Sequence, residues 1–374
     1  MKIVLSANTG WYLWNFRIGL VEEFSKEGHE VILIAPEDEF TDRLKTAGYQ
    51  VIHLRMSGKG TSVPRELWTI IGYVYYLLKI RPAVYLGFTV KPVLYGGIAA
   101  RLAGIPWIAT ITGLGTVFIK ESFATKIVKL LYQRVLRSSA TVFFQNNADM
   151  NFFVTRGFVQ KDKGVRVPGS GVNLQKFSFQ PAPSRSIDTG LQFLTLARLL
   201  RDKGIFELIE AAEIVKKNFP KTQFVLAGPA DSDNPTSISV AEIEKSDHQG
   251  SIRYLGAVED VIPLITEADC VILPSYREGL SRTLLEAAAV GRPVITTQVP
   301  GCADVVDDKV TGLLCQPRNS RDLAKKCEDF IGMSARQREE MGRAGREKVE
   351  REFSEALVLK KYSQVVHTLI GEQP

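Results

Sequence analysis

The sequence contains few of the residues that hold metals or form disulfides. Only four cysteines and four histidines occur among its 374 residues. The cysteines (Cys270, Cys302, Cys315 and Cys327) show no C-x-x-C or Cys/His ligand spacing. This spacing gives no pattern for structural zinc, and the sequence fits a reduced, cytoplasmic protein best.

Long apolar runs are also missing. The longest, Leu67–Leu78, covers twelve residues, whereas a helix that crosses a bilayer needs about 20. We therefore expect a core or interfacial helix there. The chain opens with M-K-I-V-L-S-A, which predicts a short strand rather than the apolar region of a secretory signal.

Acidic residues are scarce in one region only. Residues 55–185 carry 18 Lys and Arg against 4 Asp and Glu, a net charge of +14, whereas residues 186–374 carry 24 against 29, a net charge of −5. This asymmetry predicts an anionic partner that meets the first half of the chain. Nucleic acid is one such partner, but no nucleic-acid-binding motif accompanies the charge.

Length and pattern predict two domains of the α/β class. A chain of this length exceeds what one core usually supports, and strands that alternate with helices indicate doubly wound parallel sheets. The alternation runs through residues 1–180, where we expect single helices at Phe16–Glu27 and Pro92–Leu102, and it restarts over residues 190–352. Prolines and small polar residues over Gln180–Thr189 predict the linker.

The strongest functional signal lies between residues 270 and 297, where an apolar strand, a loop and a Leu/Ala-rich helix follow one another. Such a loop presents backbone N–H groups and the positive end of a helix dipole, so it suits an anion. Glu278 and Glu286 are about 80° out of phase at ~100° per residue, so both can lean toward one crevice. This combination suggests a ligand that is part phosphate and part sugar. Either glutamate alone would also suit the surface, with Glu278 paired to Arg277.

A second segment, A-R-L-L-R-D-K-G, follows the first strand of the second half. Arg198 lies just past that strand, and Lys203 opens the next helix. A guanidinium fork and an ammonium point charge together suit a diphosphate, although two solvated basic residues are the simpler alternative. The turns at Gly228 and at Gly256–Val258 are weaker signals, because a glycine after a strand usually only makes a turn.

Segment 270–297 closely resembles the E-x7-E signature of the retaining glycosyltransferases of family 4, which have the GT-B architecture of two Rossmann-like domains facing a cleft. A-R-L-L-R-D-K-G is similar to that family's R-x-x-x-x-K-G motif and precedes the E-x7-E in the expected order. The resemblance implies a nucleotide-sugar site in residues 190–352 and an acceptor site in residues 1–180. It also implies that a final helix, residues 354–371, packs on the first domain.

The resemblance further implies roles for individual residues. Arg198 and Lys203 would stabilise the charge on the departing β-phosphate, Glu278 would position the sugar hydroxyls, and Glu286 would hold the ribose. The other donor-binding positions would be Gly10, Gly256, Val258, Gly279, Leu280 and Ser281.

The implied reaction moves a sugar from a nucleotide diphosphate sugar, with UDP-sugar expected, to an acceptor hydroxyl with retention at the anomeric carbon. No D-x-D run occurs at the expected donor loop, so we expect neither a metal nor another cofactor. Many relatives carry a histidine immediately before the glycine at position 113, whereas this sequence has Thr112. This departure argues against a step assisted by histidine. Because the sequence offers no well-placed nucleophile, we expect front-face transfer, in which the leaving phosphate accepts the proton of the acceptor.

The segment G-F-T-V-K-P, with Lys91, resembles members that build bacterial surface polysaccharides, which implies a polyprenyl-diphosphate-linked acceptor. Apolar and basic residues recur at near-helical spacing over 118–137, and Lys126, Lys129 and Arg137 would meet anionic lipid at the cytoplasmic face of the membrane. A core helix with a solvated basic face is the alternative. A nucleotide-sugar epimerase of similar shape and a sugar-nucleotide-binding regulator without turnover also remain open.

Overall fold

The computed structural model describes residues 1–56, 63–114, 123–231 and 234–371. The chain divides into two compact units, one formed by Met1–Ser170 with the C-terminal helix and the other by Gly171–Ser354. Each unit is built on one parallel sheet, which is the fold class that the alternation of strands and helices predicts. None of the helices in the described ranges combines the length and the apolar content that a bilayer crossing requires.

The first unit contains a seven-stranded sheet in the order β3-β2-β1-β4-β5-β6-β7. Alternate residues of its strands enter separate cores, with Val4 in one and Ile3 and Leu5 in the other, so both faces of the sheet are covered. The strands are β1 (Lys2–Ser6), β2 (Glu30–Ala35), β3 (Gln50–His53), β4 (Val84–Phe88), β5 (Trp107–Ile111), β6 (Thr141–Phe144) and β7 (Gly164–Arg166).

Seven α-helices connect these strands within the described residues. They are α1 (Gly10–Phe16), α2 (Ile18–Lys26), α3 (Glu39–Thr46), α4 (Val63–Ile80), α5 (Gly97–Leu102), α6 (Phe123–Leu136) and α7 (Asn147–Thr155). The short β7 and α7 have no counterpart in the sequence prediction. The side chain of Asn146, which accepts a hydrogen bond from the Asp149 N–H at 2.8 Å, caps α7.

Two helices differ from the prediction. The single helix expected at Phe16–Glu27 is instead α1 and α2, which are separated at Arg17 (φ −131°, ψ −1°). The Arg17 side chain is buried, and its guanidinium lies 4.4 Å from the centroid of the Phe88 ring. The helix expected at Pro92–Leu102 starts as a π-turn over Pro92–Gly96, where a Cβ on Gly96 would lie 1.9 Å from the Tyr85 hydroxyl.

The second unit contains a six-stranded sheet in the order β10-β9-β8-β11-β12-β13. Its strands are β8 (Gln192–Leu196), β9 (Gln223–Ala227), β10 (Arg253–Tyr254), β11 (Cys270–Leu273), β12 (Val294–Thr297) and β13 (Gly312–Cys315). Its helices are α8 (Ile205–Asn218), α9 (Val240–His248), α10 (Ile262–Glu267), α11 (Arg282–Val290), α12 (Ser320–Ile331) and α13 (Ala335–Glu352). The capping residues Ser239, Ser281, Asn319 and Ser334 each begin one of these helices.

The last helix, α14 (Glu355–Ile370), belongs to the first unit. Its Val358 and Val366 are buried in one core of that unit. Its Tyr362 hydroxyl lies 2.8 Å from Oγ1 of Thr110 on β5. The C-terminal helix therefore completes the apolar cover of a sheet that begins more than 350 residues earlier in the chain.

The boundary between the units lies at residues 170 and 171, before the Gln180–Thr189 stretch in which the sequence predicts the linker. Phe177 is buried in a core of the second unit. The Gln180 N–H donates to the Val290 carbonyl at 3.0 Å, and the guanidinium of Arg292 donates to the carbonyls of Gln180 and Pro181. These contacts tie the Pro-containing stretch to the second unit, so its composition does not mark a linker.

Candidate functional site

The sheet of the second unit has its topological switch point between β8 and β11. The chain moves outward from β8 in one direction to β9 and β10, and in the other direction to β11, β12 and β13. In open α/β sheets, ligands bind beyond the carboxyl ends of the strands at such a point. Arg198 and Lys203 follow β8, and Glu278 follows β11, so the sequence-predicted residues flank the crevice that this topology creates.

The two loops at the switch point are joined through Asp202. Its carbonyl accepts hydrogen bonds from the Tyr276 N–H at 2.9 Å and from the Ser275 hydroxyl at 3.1 Å. Gly204 has a left-handed backbone (φ +72°), and a Cβ there would lie 2.1 Å from the Pro274 carbonyl oxygen. The glycine of the K-G pair is therefore required for the two loops to approach one another.

Lys203 and Glu278 form a direct ion pair across these loops. Their side chains are only 20% and 15% exposed, so solvent screens the pair less than it would screen a surface pair. The sequence predicts separate roles for the two residues but not their contact. Their positions differ by 75 in the chain, and no local pattern signals such a pairing.

Arg198 is also paired, with a residue that the sequence prediction missed. Its Nη1 lies 2.7 Å from Oδ2 of Asp231, and its side chain is 53% exposed. Asp231 comes after the carboxyl end of β9, the strand beside β8. A carboxylate just past a strand that neighbours β8 was the signal that could have found it.

Glu286 lies on α11, where its Oε1 accepts a hydrogen bond from Nε of Arg282 at 2.6 Å. Burial raises the pKa of Glu286, and the positive charge of Arg282 opposes this effect. A carboxylate that is buried and remains paired at a crevice is a functional-site candidate on physical grounds. Arg282 was also missed, although it stands four residues before Glu286 on the same helix face.

Ser281 has a structural role that differs from the expected one. The backbone N–H of Ser281 donates to the Gly301 carbonyl at 2.9 Å, and its hydroxyl accepts from the Leu284 N–H as the cap of α11. Because both groups bond within the protein, the Ser281 amide does not face a phosphate in this structure. The Glu278 N–H likewise donates to the Pro300 carbonyl, at 3.2 Å.

Tyr276 holds the loop before Glu278 in place. Its hydroxyl donates to Oε1 of Glu207 at 2.6 Å, and the guanidinium of Arg318 lies 4.6 Å from its ring centroid. Burial and the hydrogen bond to Glu207 raise the pKa of the Tyr276 hydroxyl. The phenol therefore stays protonated, and its hydrogen bond to Glu207 fixes the loop to α8.

The turns after β9 and β10 lie next to the same edge of the sheet. The Gly228 N–H donates to the Gly256 carbonyl at 2.7 Å, and a Cβ on Gly228 would lie 1.9 Å from the Ala197 carbonyl oxygen. Gly256 has a positive φ of +72° with no atom within 4 Å of a built Cβ, while Val258 packs on the core. These glycines bring the turns toward the loop that carries Arg198.

Gly10, in the first unit, has a packing role. Its N–H donates to Oδ2 of Asp38 at 2.7 Å, and a Cβ there would lie 2.3 Å from the other oxygen of that carboxylate. Asp38 also caps α3 through the Thr41 N–H. The Gly10 amide is therefore engaged within the first unit, where the resemblance had implied that it faces the donor.

Lys91 is paired with Glu66 of α4, its Nζ lying 2.6 Å from Oε1, and both side chains are largely buried. Burial, together with a hydrogen bond to Glu66, raises the pKa of the Tyr95 hydroxyl beside this pair. Glu66 is the only Asp or Glu between residues 43 and 120. The single acid of residues 43–120 thus compensates the lysine expected at the acceptor.

The expected basic face of α6 is only partly visible. Lys129 is half-buried, Arg137 is exposed and Leu130 is 49% exposed, while the side chain of Lys126 lies outside the described residues. A more pronounced apolar surface occurs on α4. Its exposed members are Leu67 (56%), Trp68 (72%), Ile71 (45%), Tyr75 (57%) and Leu78 (51%).

The fold and the switch-point constellation define a class: two Rossmann-like units in the GT-B arrangement of domains along the chain, with paired cations and carboxylates at the switch point of the second. Residues 2–146 match the family model described as "Glycosyl transferase 4-like", and residues 177–348 match "Glycosyl transferases group 1". The chain therefore belongs to the family of group 1 and family-4-like glycosyltransferases.

Individual proteins extend this similarity over most of the chain. The N,N'-diacetylbacillosaminyl-diphospho-undecaprenol alpha-1,3-N-acetylgalactosaminyltransferase of Campylobacter jejuni is 28% identical over 87% of this chain and 88% of its own length. The capsular polysaccharide biosynthesis glycosyltransferase CapM of Staphylococcus aureus is 22% identical over 95% and 94%. Anabaena Alr3699/HepE, solved in complex with UDP-glucose, shares the fold with a TM-score of 0.80 and 17% identity over 98% of this chain and all of its own.

Proposed function

We propose that this chain is a retaining glycosyltransferase that moves a sugar from a UDP-sugar to a hydroxyl of a polyprenyl-diphosphate-linked saccharide. The observation that carries the donor half is the set of cation–carboxylate pairs around the switch point of the second sheet. These pairs are Arg198–Asp231, Lys203–Glu278 and Arg282–Glu286. A diphosphate needs cations, and a sugar or ribose needs hydrogen-bond acceptors, so this set suits a nucleotide sugar.

Arg198 and Lys203 act on the leaving group in this proposal. As the bond between the anomeric carbon and the β-phosphate oxygen breaks, the electron pair stays with the phosphate, and both cations stabilise the charge that develops there. The amino terminus of α11 adds its dipole. Of the turn that the resemblance assigns to the donor, we assign the Leu280 amide to the diphosphate, because the Ser281 amide bonds to the Gly301 carbonyl.

Retention follows from a front-face route. The acceptor hydroxyl forms the new bond on the face from which UDP departs, and its proton passes to an oxygen of the leaving β-phosphate. Glu278 is held by Lys203 and, in this proposal, accepts hydrogen bonds from sugar hydroxyls. No protein carboxylate then forms a covalent intermediate, and no metal or other cofactor takes part.

The proposed acceptor is supported by the names of relatives. The C. jejuni relative is named for transfer to a diphospho-undecaprenol saccharide. A relative from Escherichia coli, 25% identical over 69% of this chain, is named a UDP-Gal:alpha-D-GlcNAc-diphosphoundecaprenol alpha-1,3-galactosyltransferase. These names support a lipid diphosphate saccharide as the acceptor class for this chain.

The test combines binding with product analysis. Thermal unfolding with a panel of nucleotide sugars identifies the donor, because a ligand that binds only the folded state raises its stability. Turnover with a synthetic polyprenyl-diphospho-sugar follows, and NMR of the product reports the anomeric configuration. We expect stabilisation by a UDP-sugar and retained configuration. A product of inverted anomeric configuration would contradict the retaining mechanism. Epimerisation of the donor without transfer would contradict sugar transfer and support the epimerase alternative.

We further propose that the first unit docks at the cytoplasmic face of an anionic membrane through α4. At ~100° per residue, the five exposed apolar residues of α4 fall within an arc of about 100°. Arg65 and Lys79 on this helix are exposed, and the surrounding residues 55–185 have a net charge of +14. An apolar stripe flanked by basic residues suits the interface of an anionic bilayer.

Co-sedimentation with anionic liposomes tests this docking. Ile71→Glu with Tyr75→Glu should abolish binding, and Lys129→Glu with Arg137→Glu should weaken it. Ile187→Glu with Val310→Glu is the matched control, because both residues are exposed apolar positions of the second unit. Equal binding by the α4 variant and the control would contradict the docking and leave sugar transfer untouched.

A further inference from the structure

Two histidines and a glutamate converge in the first unit, at the amino end of strand β2. Glu27 is the C-cap of α2, His29 precedes β2, and His367 lies near the end of α14. Oε2 of Glu27 is 3.2 Å from Nε2 of His367 and 3.8 Å from Nε2 of His29. All three donor atoms lie within 4.8 Å of one another.

We infer that these three side chains bind a divalent transition-metal ion, with Zn²⁺ as the best fit. Two imidazole nitrogens and one carboxylate oxygen are typical zinc ligands, with bonds of about 2.0–2.2 Å. Donor atoms in a tetrahedral zinc site are then about 3.3 Å apart. Oε2 of Glu27 and Nε2 of His367 are already about this far apart. The other two distances between donor atoms must each shorten by at most about 1.5 Å when the ion binds.

The protein holds the ligands in place before any ion arrives. His29 is buried, and its backbone N–H donates to the Phe24 carbonyl at 3.0 Å. The His29 ring makes an edge contact with the Phe24 ring. Gly28 adopts a left-handed conformation (φ +85°) between the two ligands of the turn, which lets α2 end and β2 begin within a few residues. Nδ1 of His29 lies 3.4 Å from the Met1 nitrogen. A metal on Nε2 places the ring proton on Nδ1, so the Met1 amine must be neutral to accept a hydrogen bond from it.

The ion would join α14 to the turn between α2 and β2. His367 is more than 330 residues from Glu27 in sequence, so the complete ligand set exists only when α14 is docked on the first unit. Binding of the metal therefore stabilises the docked helix by mass action. The exposed Glu27 edge leaves room for a water as the fourth ligand. This site is independent of the proposed sugar transfer.

The test uses the untagged full-length protein after removal of metals by a chelator. Co²⁺ is titrated while the visible absorption of four-coordinate Co²⁺ is followed, and Zn²⁺ is then added as competitor. His367→Gln and Glu27→Gln remove ligands at solvent-accessible positions, and His53→Gln and His248→Gln are matched controls that leave the cluster intact. Circular dichroism of each metal-free variant establishes that it is folded.

We expect one equivalent of Co²⁺ in the wild type and in both controls. Affinity should fall at least tenfold in the two ligand variants, since disturbing even an outer-sphere partner costs 10–100-fold. Zn²⁺ should raise the melting temperature of the wild type and not that of His367→Gln. Absence of stoichiometric binding, or equal affinity in wild type and His367→Gln, would overturn the inference.

Discussion

Replacing Glu286 with glutamine should separate ligand binding from stability. Burial raises the pKa of this carboxyl although Arg282 lies 2.6 Å away. A carboxyl whose pKa rises on folding contributes stability that is fully present below its unfolded pKa and is lost as the pH rises through the folded pKa. At neutral pH the ionised carboxylate therefore does not stabilise the fold. We expect Glu286→Gln to keep or slightly increase the free energy of unfolding at pH 7.

The affinity for UDP should fall in Glu286→Gln, although the stability of the fold does not. In the proposed function, the Glu286 carboxylate accepts hydrogen bonds from ribose hydroxyls. Such charged bonds contribute about 1.5–3 kcal/mol, against about 0.5–1.5 kcal/mol for neutral ones. At 1.4 kcal/mol per tenfold, the difference corresponds to a roughly 5- to 12-fold higher Kd for Glu286→Gln. Glu286→Ala loses the whole interaction, which corresponds to roughly 12- to 140-fold.

Isothermal titration of UDP and denaturant unfolding, on the same protein samples between pH 7 and pH 5, check both expectations. In the wild type the affinity should fall as the pH approaches the raised pKa of Glu286, because the protonated carboxyl no longer accepts two charged hydrogen bonds. In Glu286→Gln this pH dependence should be weaker, because only protonation of the UDP phosphate, with a pKa of about 6, then remains. An unchanged Kd together with a loss of more than about 1 kcal/mol of unfolding free energy would refute the reasoning and make Glu286 a structural residue.

Three further predictions concern the loops at the switch point. Glu278→Ala should lower turnover and leave the Kd of UDP nearly unchanged; an affinity loss equal to that of Glu286→Ala would contradict this division of roles. Arg198→Ala and Lys203→Ala should each lower kcat/KM by about 10²-fold, and EDTA should leave most activity intact; complete dependence of activity on added Mg²⁺ would contradict the proposed clamp. Gly204→Ala should cost more unfolding free energy than Gly250→Ala, because both glycines have similar positive φ but only the first meets a backbone carbonyl; equal costs would show that the close approach is relaxed.

Local sequence patterns predict the strand–loop–helix units because buried Val and Ile runs, capping residues and glycines act within a few positions. They fail where the decisive contact is distant in sequence. At the break between α1 and α2, Arg17 is buried against Phe88, a contact that no local pattern contains. The sequence predicts the linker at Gln180–Thr189 because prolines indicate irregular backbone. The unit boundary lies earlier, at residues 170 and 171, because Phe177 is buried in a core of the second unit.

The same limit applies to the candidate site. Spacing alone places Glu278 and Glu286 near one crevice, and the order of motifs places Arg198 and Lys203 beside it. Their partners are decided by tertiary structure, since Asp231 comes from the turn after β9 and Lys203 meets Glu278 across two loops. A prediction from sequence thus names candidate residues for the site but not the partners that balance their charges.

That charge balance matters for how a donor would bind. Lys203 and Arg282 each lie against a largely buried carboxylate, and pairing holds the cations in defined positions without the cost of an isolated buried charge. In the proposed function, an incoming diphosphate meets cations that are already positioned, and it competes with Asp231 for the more exposed Arg198. The carboxylates released or shared in this exchange become acceptors for sugar hydroxyls. The binding free energy of the donor then depends on the difference between two sets of partners. At the Arg198–Asp231 pair, removing the carboxylate should therefore raise the affinity for the donor, whereas removing the cation should lower it.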